Sequence, residues 1–228
     1  MKKLLPVIIA ILCFSAIGHS QTAPTTFETD FQLWNDTQFI LPLTKKKDWN
    51  AVLWVFGRFG NNVRTTTDAR ISGLITKKVN KYVTLGGGYL YRYSNTSFVR
   101  PRYESRYLAL ATFTAPLGRK FTLVNRDQFQ YEDRYSRPNA VVIRPKLTLK
   151  REITLGKTKI DPFVSVEPFY DTRLKGFARY REQIGFSRKF SSQFSADFFY
   201  VRQDETGNGT RPGTLNGIGT SFKVTVLK

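Results

Sequence analysis

Arginines and carboxylates recur at every second position in several stretches of this 228-residue chain, and that spacing limits the chemistry they could do. Arg102, Glu104 and Arg106 form one such set; Arg126, Gln128, Gln130, Glu132 and Arg134 form another. Arg58, Arg70 and Arg92, then Arg144 with Lys146 and Lys150, Glu167 with Asp171, and Arg179, Arg181 and Gln183 continue it. In extended backbone, residues two apart share a face. A guanidinium is planar, stays charged at physiological pH and can fork to two carboxylates at once, so neighbouring sets of this kind interlock into ion-pair ladders. Bases outnumber acids on this face, so what is left after pairing attracts anions. Proton transfer by these acids is a poor prospect, because flanking arginines hold them ionised.

Other catalytic chemistry lacks its residues. The one cysteine, Cys13, and the one histidine, His19, lie in or beside a leader-like N-terminus. There Lys2 and Lys3 precede an apolar run from Leu4 to Ile17 and the small residues Ala16, Gly18 and Ser20, the pattern of a secretory signal peptide. Residues 1–20 are therefore expected to be a cleaved signal, and residues 21–228 a single domain. Cys13 follows Leu12, where lipidation would need a small residue. Without the leader, cysteine nucleophiles, Ser-His-Asp triads and His/Cys zinc sites are excluded. The expectation is a non-enzyme with no metal and no cofactor. A membrane-embedded lipid-modifying enzyme, the alternative, would have to activate Ser105 or Ser165 without histidine, which is weak base chemistry.

The chain carries 36 Lys+Arg against 17 Asp+Glu, a formal charge of +19, and loss of Lys2 and Lys3 leaves +17. These bases are spread over alternate positions of an exported chain, so no nucleic-acid partner is expected. Beyond the leader, no apolar stretch approaches the roughly 20 residues a membrane helix needs. A membrane location after export would then require a closed barrel, the other structure that satisfies its own backbone in lipid.

The elements that must carry the ladders are strands. About eleven segments alternate apolar or aromatic with polar residues: 27–41, 49–60, 66–78, 81–94, 101–115, 119–135, 138–152, 157–171, 174–190, 193–204 and 211–227. From residue 60 onward, tight connections such as Leu155-Gly156-Lys157 alternate with looser polar ones such as Asp204 to Pro212. Short periplasmic turns and longer outer loops would produce that asymmetry. The reading is an all-β fold, a single antiparallel up-and-down transmembrane β-barrel with a charged lumen. Counted back from the C-terminus, the first segment starts on the wrong side for an even number of strands. Either 27–41 is split or lies inside, or a short strand has gone uncounted. Twelve strands are expected, with ten as the alternative.

On this reading the alternate arginines, lysines and acids above fill the lumen. The charge ladder comprises Arg58, Arg70, Arg102, Glu104, Arg106, Arg126, Glu132, Arg134, Arg144, Lys146, Glu167 and Arg181. Leu53, Val55, Tyr89, Tyr107, Phe113, Phe129, Tyr131, Val164, Ile184 and Phe186 belong to the lipid face, where Asp127 and Glu182 are exceptions. The Gly86-Gly87-Gly88 run leaves room for an inward arginine or marks a bend in the wall.

Five short motifs follow one another: Tyr103-Glu104-Ser105-Arg106-Tyr107, the run Asn125 to Arg134, Ile143-Arg144-Pro145-Lys146-Leu147, Pro162 to Phe169 and Tyr180 to Phe186. In this order they resemble a bacterial family catalogued as domain of unknown function 2490. Gln130 stands where a charged residue is expected in that ladder. The resemblance implies an outer-membrane barrel and carries no catalytic residues. The functional expectation is an outer-membrane protein of a Gram-negative bacterium, structural or a narrow passage favouring anions. Its partners would be outer-membrane lipids and small anions. A soluble barrel that binds a ligand inside would need the opposite arrangement, apolar within and charged without.

Overall fold

The computed structural model describes residues 28–95, 102–135, 137–156, 158–206 and 212–226; the expected signal peptide lies outside the described residues. Twelve strands follow in order: β1 (Glu28–Pro42), β2 (Trp49–Gly60), β3 (Thr65–Lys78), β4 (Val83–Ser94), β5 (Arg102–Gly118), β6 (Phe121–Arg134), β7 (Ala140–Arg151), β8 (Ile153–Leu155), β9 (Thr158–Asp171), β10 (Gly176–Lys189), β11 (Phe194–Glu205) and β12 (Gly213–Thr225). Each of the eleven segments read from alternation lies within three residues of one of these strands. The pattern suffices because one face is buried, and a slip of one residue would turn every side chain over.

The wall closes on itself. Successive long strands pair antiparallel from β1 to β7, then β7 with β9, and on through β10 and β11 to β12. The ring is completed by β1 and β12, in register from Glu28↔Gly213 to Ile40↔Thr225, and this one seam is parallel. The parity problem is thereby resolved. There is an uncounted short strand, but β8 merely continues β7 past Glu152 and pairs with the start of β9, so it adds no stave. Eleven staves form the wall, 27–41 is a single strand, and an odd ring can close only with two neighbours running the same way.

Both seam strands start at one end of the barrel, called here the loop end, with the connections 61–64, 95–101, 135–139, 172–175 and 206–212. The opposite, turn end holds the connections 43–48, 79–82, 119–120 and 190–193, and the β8 hairpin. Between β5 and β6 only Arg119 and Lys120 intervene, both left-handed with φ of 48° and 65°, as a tight hairpin of right-twisted strands requires.

The wall is apolar outside and mixed inside. Leu53, Ile71, Leu85, Tyr107, Phe129, Val164 and Ile184 are exposed on its outer surface, whereas Arg58, Arg70, Glu104, Arg106, Glu132 and Glu167 are buried within. Asp127 and Glu182 do face outward. Asp127 accepts a hydrogen bond from Asn125 at 3.0 Å, and Glu182 stands across from Arg202. The lumen is not charged throughout, however. Val52, Phe56, Leu74, Leu90 and Leu108 form an inward apolar cluster on β2 to β5, joined by Ile40, Trp54 and Leu110. The room left by the glycine run is taken from within by Leu74 rather than by an arginine: a Cβ on Gly88 would sit 2.8 Å from Leu74 Cδ2.

Candidate functional site: an arginine-lined basin in the lumen

Five inward carboxylates organise the loop half of the lumen, each bridging two or three arginines. Asp68 on β3 receives Arg70 and, at 2.7 Å, Arg92. Glu104 on β5 receives Arg92 at 3.2 Å together with Arg106 and Arg137. Glu132 on β6 takes Arg106 at 3.0 Å and also Arg134. Asp171 on β9 stands 3.5 Å from Arg134 and 3.9 Å from Arg173. Glu167, four residues before Asp171 on the same face of β9, holds Arg144 at 2.8 Å, Arg181 at 3.0 Å and Arg126 at 3.2 Å. A chain of shared guanidiniums thus runs around the wall from β3 to β6, and Arg134 carries it across to β9. Burying so many charges is tolerable only because each acid is bridged repeatedly.

Aromatic rings support the arginines that the acids do not fully occupy. Arg58 lies 3.7 Å over the ring of Trp34, a buried residue of β1, and Arg181 lies 4.8 Å from the same ring. Arg144 and Arg181 both face Phe169, at 4.3 and 4.8 Å. Stacked guanidiniums keep their edges free for hydrogen bonds while the ring quadrupole offsets part of their charge.

Of the expected ladder, eleven residues are drawn into this interior. Arg102, the twelfth, is exposed at the mouth. Arg126 and Lys146 lie deepest toward the turn end, where Arg126 reaches within 5.9 Å of the Trp54 ring and Lys146 Nζ donates to Gln183. Gln130 occupies its place in the ladder by accepting from Arg106 at 3.2 Å. The sequence reading passed over Asp68, although it shares parity with Arg70 and could have been found that way. It did not place Trp34 inward, a position only the closed seam makes plain, and it passed over Arg137, which sits in a loop.

Above the ladder opens a basin of about 310 Å³. Ten arginines line it, against the three carboxylates Glu104, Glu132 and Asp171. Arg137, between β6 and β7, carries the mark of this crowding: burial, with Arg102, Arg92, Arg173 and Arg179 nearby, pushes its guanidinium down to about 10. Three buried side-chain nitrogens in the lining have no hydrogen-bond partner among the described residues: Arg137 Nε, Arg144 Nε and Gln130 Nε2. All three are donors, whereas Arg179 Nε lies 3.4 Å from the Glu205 carboxylate. Such a basin suits a ligand that supplies only acceptors. None of the residues of the Val52–Leu108 apolar cluster lines it, so the basin ends above that layer. Among the described residues no group of three His, Cys, Asp or Glu side chains is placed to hold a metal ion.

The model of one family matches residues 31–212, a stretch that contains the whole ladder and ten of the eleven staves in full or in most of their length. Its description is "Protein of unknown function (DUF2490)". The chain belongs to that family. No curated protein and no solved structure matches. Membership therefore agrees with the motif resemblance, and the family name itself attaches neither a membrane nor an activity to the barrel.

Proposed function

We propose that this DUF2490 member is a non-enzymatic outer-membrane barrel whose loop end takes up small anions into a basin closed beneath by its own side chains. The observation that carries the anion reading is the donor-only set of orphaned nitrogens in a cavity where arginines exceed carboxylates by ten to three. Buried donors need acceptors, and charged acceptors make the stronger bonds. The outer surface supports the membrane reading: Ile184, Tyr107, Phe129 and Ile71 are each more than half exposed on a band of apolar residues. A soluble ligand-binding barrel would present the reverse.

Titrating inorganic phosphate and pyrophosphate into the detergent-solubilised protein tests the basin. Saturable binding is expected, weakened about fivefold or more when Arg102→Gln and Arg173→Gln remove charge at the mouth. In planar bilayers the same protein is expected to pass no steady ionic current. Failure to bind either anion, or a steady conductance indifferent to ion charge, would overturn the reading.

A further inference from the structure

The turn end carries a second concentration of positive charge, on the outside of the barrel. Among the described residues, twelve exposed Lys and Arg side chains lie in its connections or within two residues of a strand end, against the acids Asp48 and Glu152. One of the twelve, Lys159, is paired with Glu152 at 3.2 Å. Four others lie over aromatic rings: Lys77 4.9 Å from Trp49, Lys81 4.8 Å from Tyr82, Arg151 5.0 Å from Phe121 and Arg188 4.7 Å from Phe190. Trp49 is directly opposite Lys77 across β2 and β3, and Phe121 directly opposite Arg151 across β6 and β7. These pairs lie just beyond the exposed apolar side chains Ile75, Leu85, Phe113 and Phe186. At the loop end, by contrast, the outer face carries tyrosine contacts such as Tyr91–Tyr103, and the outward cation Arg202 is paired with Asp204 at 3.2 Å.

A ring of cations anchored on aromatics at the border of an apolar wall has one complementary surface: phosphate groups that sit at the head of hydrocarbon chains. Long basic side chains lay their stems along apolar surface and place the charge at headgroup height. Each cation near an anionic lipid surface contributes about 1 kcal/mol, roughly fivefold in association. We propose that this turn-end rim binds the phosphates of anionic phospholipids whose acyl chains lie against the wall, so that this end of the barrel selects an anionic leaflet. The inference rests on the membrane reading above and adds a headgroup preference that the apolar wall alone would not give.

The test compares spin-labelled phosphatidylglycerol with spin-labelled phosphatidylcholine at the surface of the full-length barrel reconstituted in phosphatidylcholine vesicles. The phosphatidylglycerol label is expected to associate roughly fivefold or more over the phosphatidylcholine label at low salt, with the preference shrinking at high salt. Lys77→Gln, Lys81→Gln, Arg151→Gln and Arg188→Gln together should remove most of it, and Lys77→Gln with Lys81→Gln alone should reduce it. Arg64→Gln with Lys175→Gln at the loop end should leave it in place. Equal association of the two lipids, or a preference that survives the four substitutions, overturns the rim while leaving the membrane reading standing. A chain that stays in the buffer and immobilises neither lipid overturns both.

Discussion

Arg106 and Leu108 are neighbours on the inner face of β5, yet they belong to differently built halves of the barrel. Arg106 is held by Glu104 and Glu132 and by the amide of Gln130. Leu108 belongs to the apolar cluster of Val52, Phe56, Leu74 and Leu90. The loop half is filled by groups that must each find a partner of the right charge and geometry, the turn half on β2 to β5 by groups that need only fit. An apolar layer would seal the lumen throughout at lower risk, since a half-satisfied polar network is worse than none. A charged half kept beside an apolar one is what the proposed anion basin requires: the surplus of arginines faces the basin, and no residue of the apolar cluster lines it.

The largest test of that contrast is Glu167→Ala. It leaves Arg126, Arg144 and Arg181 without their shared acid. A loss of about 3–5 kcal/mol is expected in urea unfolding of the refolded barrel, because buried cations are then unpaired. Leu108→Ala in the other half should cost about 2–4 kcal/mol through the cavity it opens, with phosphate binding unchanged. If Leu108→Ala also weakens anion binding, the two halves are not separate. Gly88→Ala should cost about 1–3 kcal/mol by overpacking, because a Cβ there meets the carbonyl oxygen of Gly73 at 2.1 Å and Leu74 Cα at 2.8 Å. Arg102→Gln with Arg173→Gln should move stability by no more than about 0.5 kcal/mol, both side chains being exposed at the mouth, while anion affinity falls. The smallest effect is in pH. Below about 10 the Arg137 guanidinium is charged, and above it the charge is lost, so phosphate affinity should decline as pH rises through that value. A flat profile between pH 9 and 11 would remove Arg137 from the binding set.

Much of this was legible in the strands because charge and parity agreed there. Wherever an arginine or acid alternated with tyrosine or leucine, as in Arg102 to Tyr107, the face assignment follows from the two-residue period and the structure has the same faces. Legibility failed where both faces are apolar. On β2, Val52, Trp54 and Phe56 point in while Leu53 and Val55 point out, and composition cannot tell the sets apart. The inward cluster went unseen for that reason. The seam was hidden for a different one: alternation says which way a side chain points but nothing about which strands meet, and the assumption of an even ring excluded the parallel pairing of β1 with β12. Arg137 and its contact with Glu104 lie in a loop, where no period exists to read.

The account stands on the apolar face being turned to lipid and the charges to the lumen, and one site reports on it directly. With Cys13 the one native cysteine, a Cys13→Ser, Ile184→Cys chain carries a single thiol at a position 59 % exposed on the outer wall of β10. A bimane fluorophore attached there, in the membrane-reconstituted protein, should be quenched by doxyl-labelled lipids and left untouched by iodide in the buffer. Quenching by iodide with no response to doxyl lipid would contradict the account.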